Sequence, residues 1–149
     1  MRGAYTEVAK NLNRETNAVR EEKGDKLKES DVQEKVEKIC DVETVEGEWL
    51  IKHDLVEEGD ALTMKFMDGA FGACNSECKT MQKACVDIIG DRDLDIAQAL
   101  FTDQTMKRAA LSSFLCNSKA RGLQSSTLQA STNLLYILLP HPATAEATT

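Results

Sequence analysis

Five cysteines are the residues of this sequence whose chemistry is easiest to specify, and three of them lie close together. Thiolates bind zinc, act as nucleophiles or oxidise to disulfides, whereas a protonated thiol packs as a small apolar side chain. The spacing of the cysteines and the elements that carry them decide among these roles. The five are Cys40, Cys74, Cys78, Cys85 and Cys116.

Metal binding and catalysis find little support in the pattern. A zinc site takes four ligands, commonly from cysteine pairs two to four residues apart. Cys74 and Cys78 fit one pair, with another cysteine or His53 to complete the set, but the sequence has no second pair. The histidines available for a Cys–His couple are His53, in an acidic stretch, and His141, near the end. Thiol–disulfide exchange normally uses Cys-x-x-Cys, which is absent. We therefore predict no catalytic residue, no metal, no cofactor and no enzyme activity.

Disulfides between helices are the preferred prediction, and buried free thiols are the alternative. On a helix, Cys78 lies about 40° and Cys85 about 20° around the axis from Cys74, so the three project from one face and do not easily bond one another. Cys40 and Cys116 each end a segment and are natural partners. We expect two disulfides that join Cys40 and Cys116 to two of the other three, in an oxidising compartment, with one cysteine left over.

The segments that carry the cysteines show helical periodicity. One apolar stripe recurs at steps of three and four and predicts a single long helix over about 61–89. Its members are Met64, Met67, Phe71, Cys74, Cys78, Met81, Cys85 and Ile88. A capping box at Ser30–Gln33 predicts the start of another helix, and we interpret Trp49, in the acidic connector 41–60, as a core residue. The predicted helices cover about 5–23, 30–40, 61–89, 94–101 and 102–116.

Composition limits the class of protein. The 149 residues include 8 Gly, 2 Pro and 5% aromatic residues, too few turn and strand formers for a β-sandwich or barrel. The net charge of −7 disfavours nucleic acid, and no apolar run is long enough for a transmembrane segment. A calcium loop beginning at Asp91 fails because Ile96 and Thr102 stand where Gly and Glu are needed. These observations predict an all-α, compact bundle of about five helices.

The charge distribution divides the chain. Residues 117–149 contain three charged residues, Lys119, Arg121 and Glu146, together with both prolines and much Ser, Thr and Ala. Such a composition is typical of a poorly ordered segment, interrupted only by an apolar island at 134–139. We predict a helical domain over 1–116 and a low-charge tail over 117–149.

Four stretches together resemble the canopy-related saposin-like proteins, also described as MIR-interacting saposin-like proteins. The resemblance covers about residues 30–116 and rests on cysteine order and helical pattern. The stretches are Ile39-Cys40-Asp41, Glu48-Trp49-Leu50-Ile51, Cys74 through Cys85, and Phe114-Leu115-Cys116. It implies a small saposin-like helical domain with interhelical disulfides, resident in the endoplasmic reticulum lumen or elsewhere in the secretory pathway.

The resemblance also implies a function. Its members are linked to chaperoning or maturation of clients, so we expect a non-catalytic, chaperone-like domain that binds client proteins. The alternative is a saposin-like lipid-binding protein, since the Met-rich stripe suits an adaptable apolar interior. The chain begins Met1-Arg2-Gly3 with no signal peptide, which predicts a cytoplasmic location if the chain is complete as given.

Overall fold

Five α-helices and one β-hairpin make up the part of the chain that the computed structural model describes, residues 3–69 and 72–117. Phe71 of the predicted stripe, and all of the predicted tail after Asn117, lie outside the described residues. The elements are α1 Ala4–Lys23, α2 Glu29–Lys38, β1 His53–Glu58, β2 Ala61–Phe66, α3 Ser76–Ile89, α4 Asp93–Thr102 and α5, helical over 108–117. Short 3-10 turns cover Gly24–Lys26 and Glu48–Leu50.

The hairpin corrects two predictions, the all-α class and the long helix over 61–89. β1 and β2 pair antiparallel, from His53 opposite Phe66 to Glu58 opposite Ala61. Their two-residue turn begins at Gly59, whose φ of 64° is left-handed, as this turn class requires. Met64, predicted on a helix, lies in β2, and the helix proper begins only at Ser76. The fold is therefore mostly helical with a small sheet.

The second half of the predicted stripe is confirmed within α3. Its members are each no more than 4% exposed, and they are Cys78, Met81, Cys85 and Ile88. Their steps of three, four and three residues place them on one helical face. The stripe failed upstream because Met64 is the buried residue of β2 and Met67 follows the end of that strand, so their spacing of three residues does not come from a helix.

The thin apolar stripe of α1 is buried as predicted, although the rest of this helix is largely polar. Ala4, Val8, Leu12 and Val19 are all buried. Thr16 is fully buried on the same helix, and its hydroxyl donates to the Leu12 carbonyl at 2.7 Å, so that burying it leaves no unpaired donor. α1 packs against α2 and α3, and α2 also packs against α4.

Side chains form hydrogen bonds with backbone N–H and carbonyl groups at several helix ends. α2 begins at Glu29 rather than after Ser30, and the Asp31 carboxylate accepts the Lys28 backbone N–H at 2.8 Å. At the end of α4, the Arg20 guanidinium of α1 donates to the carbonyls of Leu100 and Gln104. This contact joins residues about 80 positions apart and ties α1 to the last turn of α4.

Candidate functional site

The Cys40–Cys85 disulfide crosses the core. Cys40 follows the end of α2 and is 8% exposed, while Cys85 lies on α3 and is fully buried. Their Cα atoms are 5.6 Å apart across a sequence separation of 45. The Gln82 side chain, one turn before Cys85, donates to the Cys40 carbonyl at 3.0 Å and reinforces the junction. This bond agrees with the expectation that Cys40 would be joined to the helix that carries the cysteine cluster.

The second disulfide, Cys74–Cys78, differs from the expectation that these two residues would not bond each other. That expectation placed both on one helix. In the structure Asn75 is the N-cap of α3, with extended φ and ψ of −82° and −172°, so Cys74 precedes the helix. The direction of its side chain is therefore not fixed by the helix, and its sulfur atom bonds to that of Cys78. The Cα atoms of the two residues are 5.2 Å apart. The Asn75 side chain accepts the Cys78 N–H at 2.9 Å.

Cys116 is an exposed free thiol on α5, contrary to the prediction that it would be disulfide-bonded. The number of disulfides is two, as expected, but Cys116 is the unpaired member of the odd set. The zinc alternative loses Cys74, Cys78 and Cys85 as ligands, because a disulfide sulfur is not a thiolate. Among the described residues, no group of three His, Cys, Asp or Glu side chains is placed to hold a metal ion.

His53 is a buried polar residue, and the sequence did not predict which side chains surround it. It opens β1, is 6% exposed, and its ring edge meets the rings of Trp49 and Phe66 at centroid distances of 5.6 and 5.8 Å. Its Nδ1 lies 2.7 Å from the Trp49 carbonyl oxygen, and its Nε2 lies 3.3 Å from Glu7 Oε2 on α1. The imidazole thus links α1 to the Trp49 turn.

The rings of Trp49, His53 and Phe66 form a cluster that positions the elements around it. Both ring nitrogens of His53 lie near an oxygen atom, Nδ1 near the Trp49 carbonyl and Nε2 near the Glu7 carboxylate. Trp49 is 2% exposed, as expected of a core residue, and its indole N–H donates to the Ile39 carbonyl at 2.8 Å. The cluster therefore holds α1, the end of α2 and β1 in register.

An ion pair holds the loop between α2 and Trp49. Glu46 is 9% exposed and accepts from Lys35 of α2 at 2.6 Å, a contact that lowers the pKa of the Glu46 carboxyl. The loop is tight next to this pair, because a Cβ on Gly47 would lie 2.0 Å from the Asp41 carbonyl oxygen. Glycine is therefore required at this position on steric grounds.

A pair of carboxyl groups connects the hairpin to α3. A hydrogen bond with Asp54 of β1 and the charge of Asp54 raise the pKa of Glu77, in the first turn of α3. Two adjacent carboxyls share one proton more readily than they ionise together. The contact lies at the surface next to the Cys74–Cys78 disulfide.

A fold of this kind invites comparison with known proteins. Among the described residues, no helix is long and apolar enough to cross a bilayer. The resemblance to canopy-related saposin-like proteins stays a prediction. Comparisons of the chain with protein-family models, with curated proteins and with solved structures found no match.

Proposed function

We propose that this chain is a non-catalytic interaction domain of the secretory pathway that binds client proteins. The observation that carries the proposal is the Cys40–Cys85 disulfide, which lies in the core and links the segment just after α2 to α3. Disulfides of this kind persist in oxidising compartments and are rare in the cytosol. The canopy-like order of the cysteines agrees with the same compartment.

The hairpin supplies the surface for a client. Leu62 and Phe66 lie on the same face of β2 as the buried Met64, because side chains two residues apart share a face. Leu62 is 42% and Phe66 60% exposed, so the apolar face of the strand extends from the core to the surface. β1 and β2 pair only with each other within the described ranges, which leaves each strand an edge to which an extended peptide can add.

Charge selects among such peptides. The turn end of the hairpin carries Glu57, Glu58 and Asp60, and the whole chain has a net charge of −7. Acidic surfaces attract basic segments and repel anionic ones, including anionic membrane surfaces. The client we propose is therefore an extended, unfolded segment that contains apolar and basic side chains.

Binding to reduced, carboxamidomethylated lysozyme tests the proposal, because that chain is unfolded, basic and unable to exchange thiols. Native lysozyme is the control of nearly equal charge. We expect binding of the unfolded form only, weakened about tenfold by Phe66→Ser or Leu62→Ser. Val45→Ser, at an apolar residue 77% exposed in the loop after α2, is the matched control and should bind as the wild type does. Equal binding of native and unfolded lysozyme, or binding of neither, would refute the proposal.

Lipid binding remains the alternative, and vesicles distinguish it. Co-sedimentation with anionic and neutral phospholipid vesicles at pH 5 and pH 7 should leave the protein in the supernatant. Of the three methionines expected to line an apolar interior, Met64 and Met81 are enclosed in the core, at 7% and 0% exposure, and Met67 is half-buried. Vesicle binding without affinity for unfolded lysozyme would favour the lipid-binding alternative.

A further inference from the structure

The two disulfides of this chain lie in contrasting surroundings. Cys40 and Cys85 are both buried and join separate elements. Cys74 and Cys78 are joined at the N-terminal end of α3, where Cys78 is 4% exposed, whereas Cys74 is half-buried and precedes the helix. A thiolate from solvent reaches a disulfide only through an accessible sulfur atom, so the second bond is the one open to attack.

Position on the helix also distinguishes the two sulfur atoms of this bond. Cys78 is the third residue of α3, within the first turn, where the helix dipole stabilises a negative charge. A thiol at a helix N-terminus has a greater tendency to ionise and is the better leaving group. Cys74, by contrast, is the more exposed sulfur and lies outside the helix. Attack at Cys74 thus expels Cys78 as the stabilised thiolate.

Reduction of this bond costs the fold little. The Asn75 cap accepts the Cys78 N–H through its side chain, a contact that does not depend on the disulfide. In the chain-entropy treatment, the factor by which a cross-link lowers the unfolding equilibrium constant grows with the 3/2 power of loop length. Sequence separations of 45 and 4 then mean that loss of Cys40–Cys85 raises the unfolding equilibrium constant roughly 30-fold more than loss of Cys74–Cys78.

We propose that Cys74–Cys78 is a reversible redox site that exchanges with a dithiol, whereas Cys40–Cys85 is structural. One thiolate of the dithiol attacks Cys74 Sγ, the Sγ–Sγ bond breaks, and its electron pair leaves on Cys78 as the thiolate. The second thiol of the dithiol loses its proton to solvent and attacks the mixed disulfide. This step forms the disulfide of the partner and releases Cys74, which takes up a proton. Two electrons pass from the dithiol to the protein. The proposal does not depend on client binding.

Graded reduction of the oxidised full chain tests the site, with dithiothreitol as the dithiol. Thiols are trapped with an alkylating reagent at each point and located by peptide mass. In the absence of reductant, Cys116 alone should be labelled. Labels should then appear on Cys74 and Cys78 together while the protein remains folded, and on Cys40 and Cys85 only when denaturant is added. Labelling of the buried pair first, or of all four together, would overturn the proposal.

Two further measurements address the mechanism. Brief reaction of the oxidised protein with glutathione should give a mixed disulfide on Cys74, and an adduct on Cys78 instead would contradict the assigned leaving group. The double variant C74S/C78S should lose the first reduction step and keep a cooperative urea transition close to that of the wild type. C116S is the matched control and should retain both steps. A double variant that fails to fold would show that the bond is structural and would also overturn the proposal.

Discussion

Replacing His53 with alanine tests whether the buried imidazole stabilises the fold. The change removes the contact with the Trp49 carbonyl, about 1 kcal/mol, and the 3.3 Å contact of Nε2 with the partly exposed Glu7 carboxylate, about 1 kcal/mol or less. The edge-type ring contacts with Trp49 and Phe66 contribute about 0.5 kcal/mol or more. We expect His53→Ala to lower the free energy of unfolding by about 2–3 kcal/mol.

Urea denaturation followed by the fluorescence of Trp49, the single tryptophan, measures this loss. A double-mutant cycle with Glu7→Gln isolates the contact between His53 and Glu7, and we expect a coupling free energy of about 1 kcal/mol. Lys10→Ala is the control. The Lys10 ammonium is 3.8 Å from the same carboxylate but its side chain is 50% exposed, so the change should cost less than about 0.5 kcal/mol. Additive effects of the His53 and Glu7 substitutions would refute the contact between these two residues.

Three further predictions concern the loop after α2 and the surface of α3. Gly47→Ala should destabilise the protein by about 2 kcal/mol or more in urea melts, because its Cβ overlaps the main chain; Gly72→Ala, where a Cβ meets nothing within 4 Å, should be nearly neutral. The lowered pKa of Glu46 makes its contribution to stability fully present above about pH 4.5 and lost as pH falls through the folded-state pKa. Glu46→Gln should therefore reduce stability at pH 7 and flatten its decline in acid. The raised pKa of Glu77 has the opposite sign, since its contribution is present below about pH 4.5 and lost as pH rises. Glu77→Gln should accordingly increase the free energy of unfolding over that of the wild type by more at pH 7 than at pH 4. If Glu77→Gln has the same pH-dependent effect in an Asp54→Asn background, the pairing of Glu77 with Asp54 is contradicted.

Helices could be predicted from the sequence wherever their apolar period was unambiguous. The stripes of α1 and α3 are examples, because Val8 and Leu12, or Met81 and Cys85, are separated by one helical turn and have no competing alternation. The hairpin was missed because Met64, which lies in β2, was assigned to the apolar stripe of a long helix. The predicted helix therefore included the whole of that strand. The signal that identifies the hairpin is local, namely the Gly-Asp turn at Gly59 between two runs of strand-compatible residues.

The cysteine pairing could be predicted only in part. That Cys40 would be joined to α3 followed from its position at the end of a segment. The Cys74–Cys78 bond could not be foreseen, because it depends on where the helix begins, and a boundary shift of a few residues removes Cys74 from the helical face. The contact of His53 with Glu7 joins residues with 45 others between them, and no local pattern encodes such a meeting.

The guanidinium of Arg20 has a consequence for synthesis on the ribosome. It binds carbonyls about 80 residues later in the chain, and the buried side chains of Leu111 and Leu115 complete the same core. Because translation adds about 5–20 residues per second, the first helix waits for several seconds before its distant partners emerge. During that interval Cys40 is on the nascent chain without Cys85. The Cys40–Cys85 cross-link can therefore form only after Cys85 has emerged, so Cys40 stays a free thiol or bonds to another thiol until then.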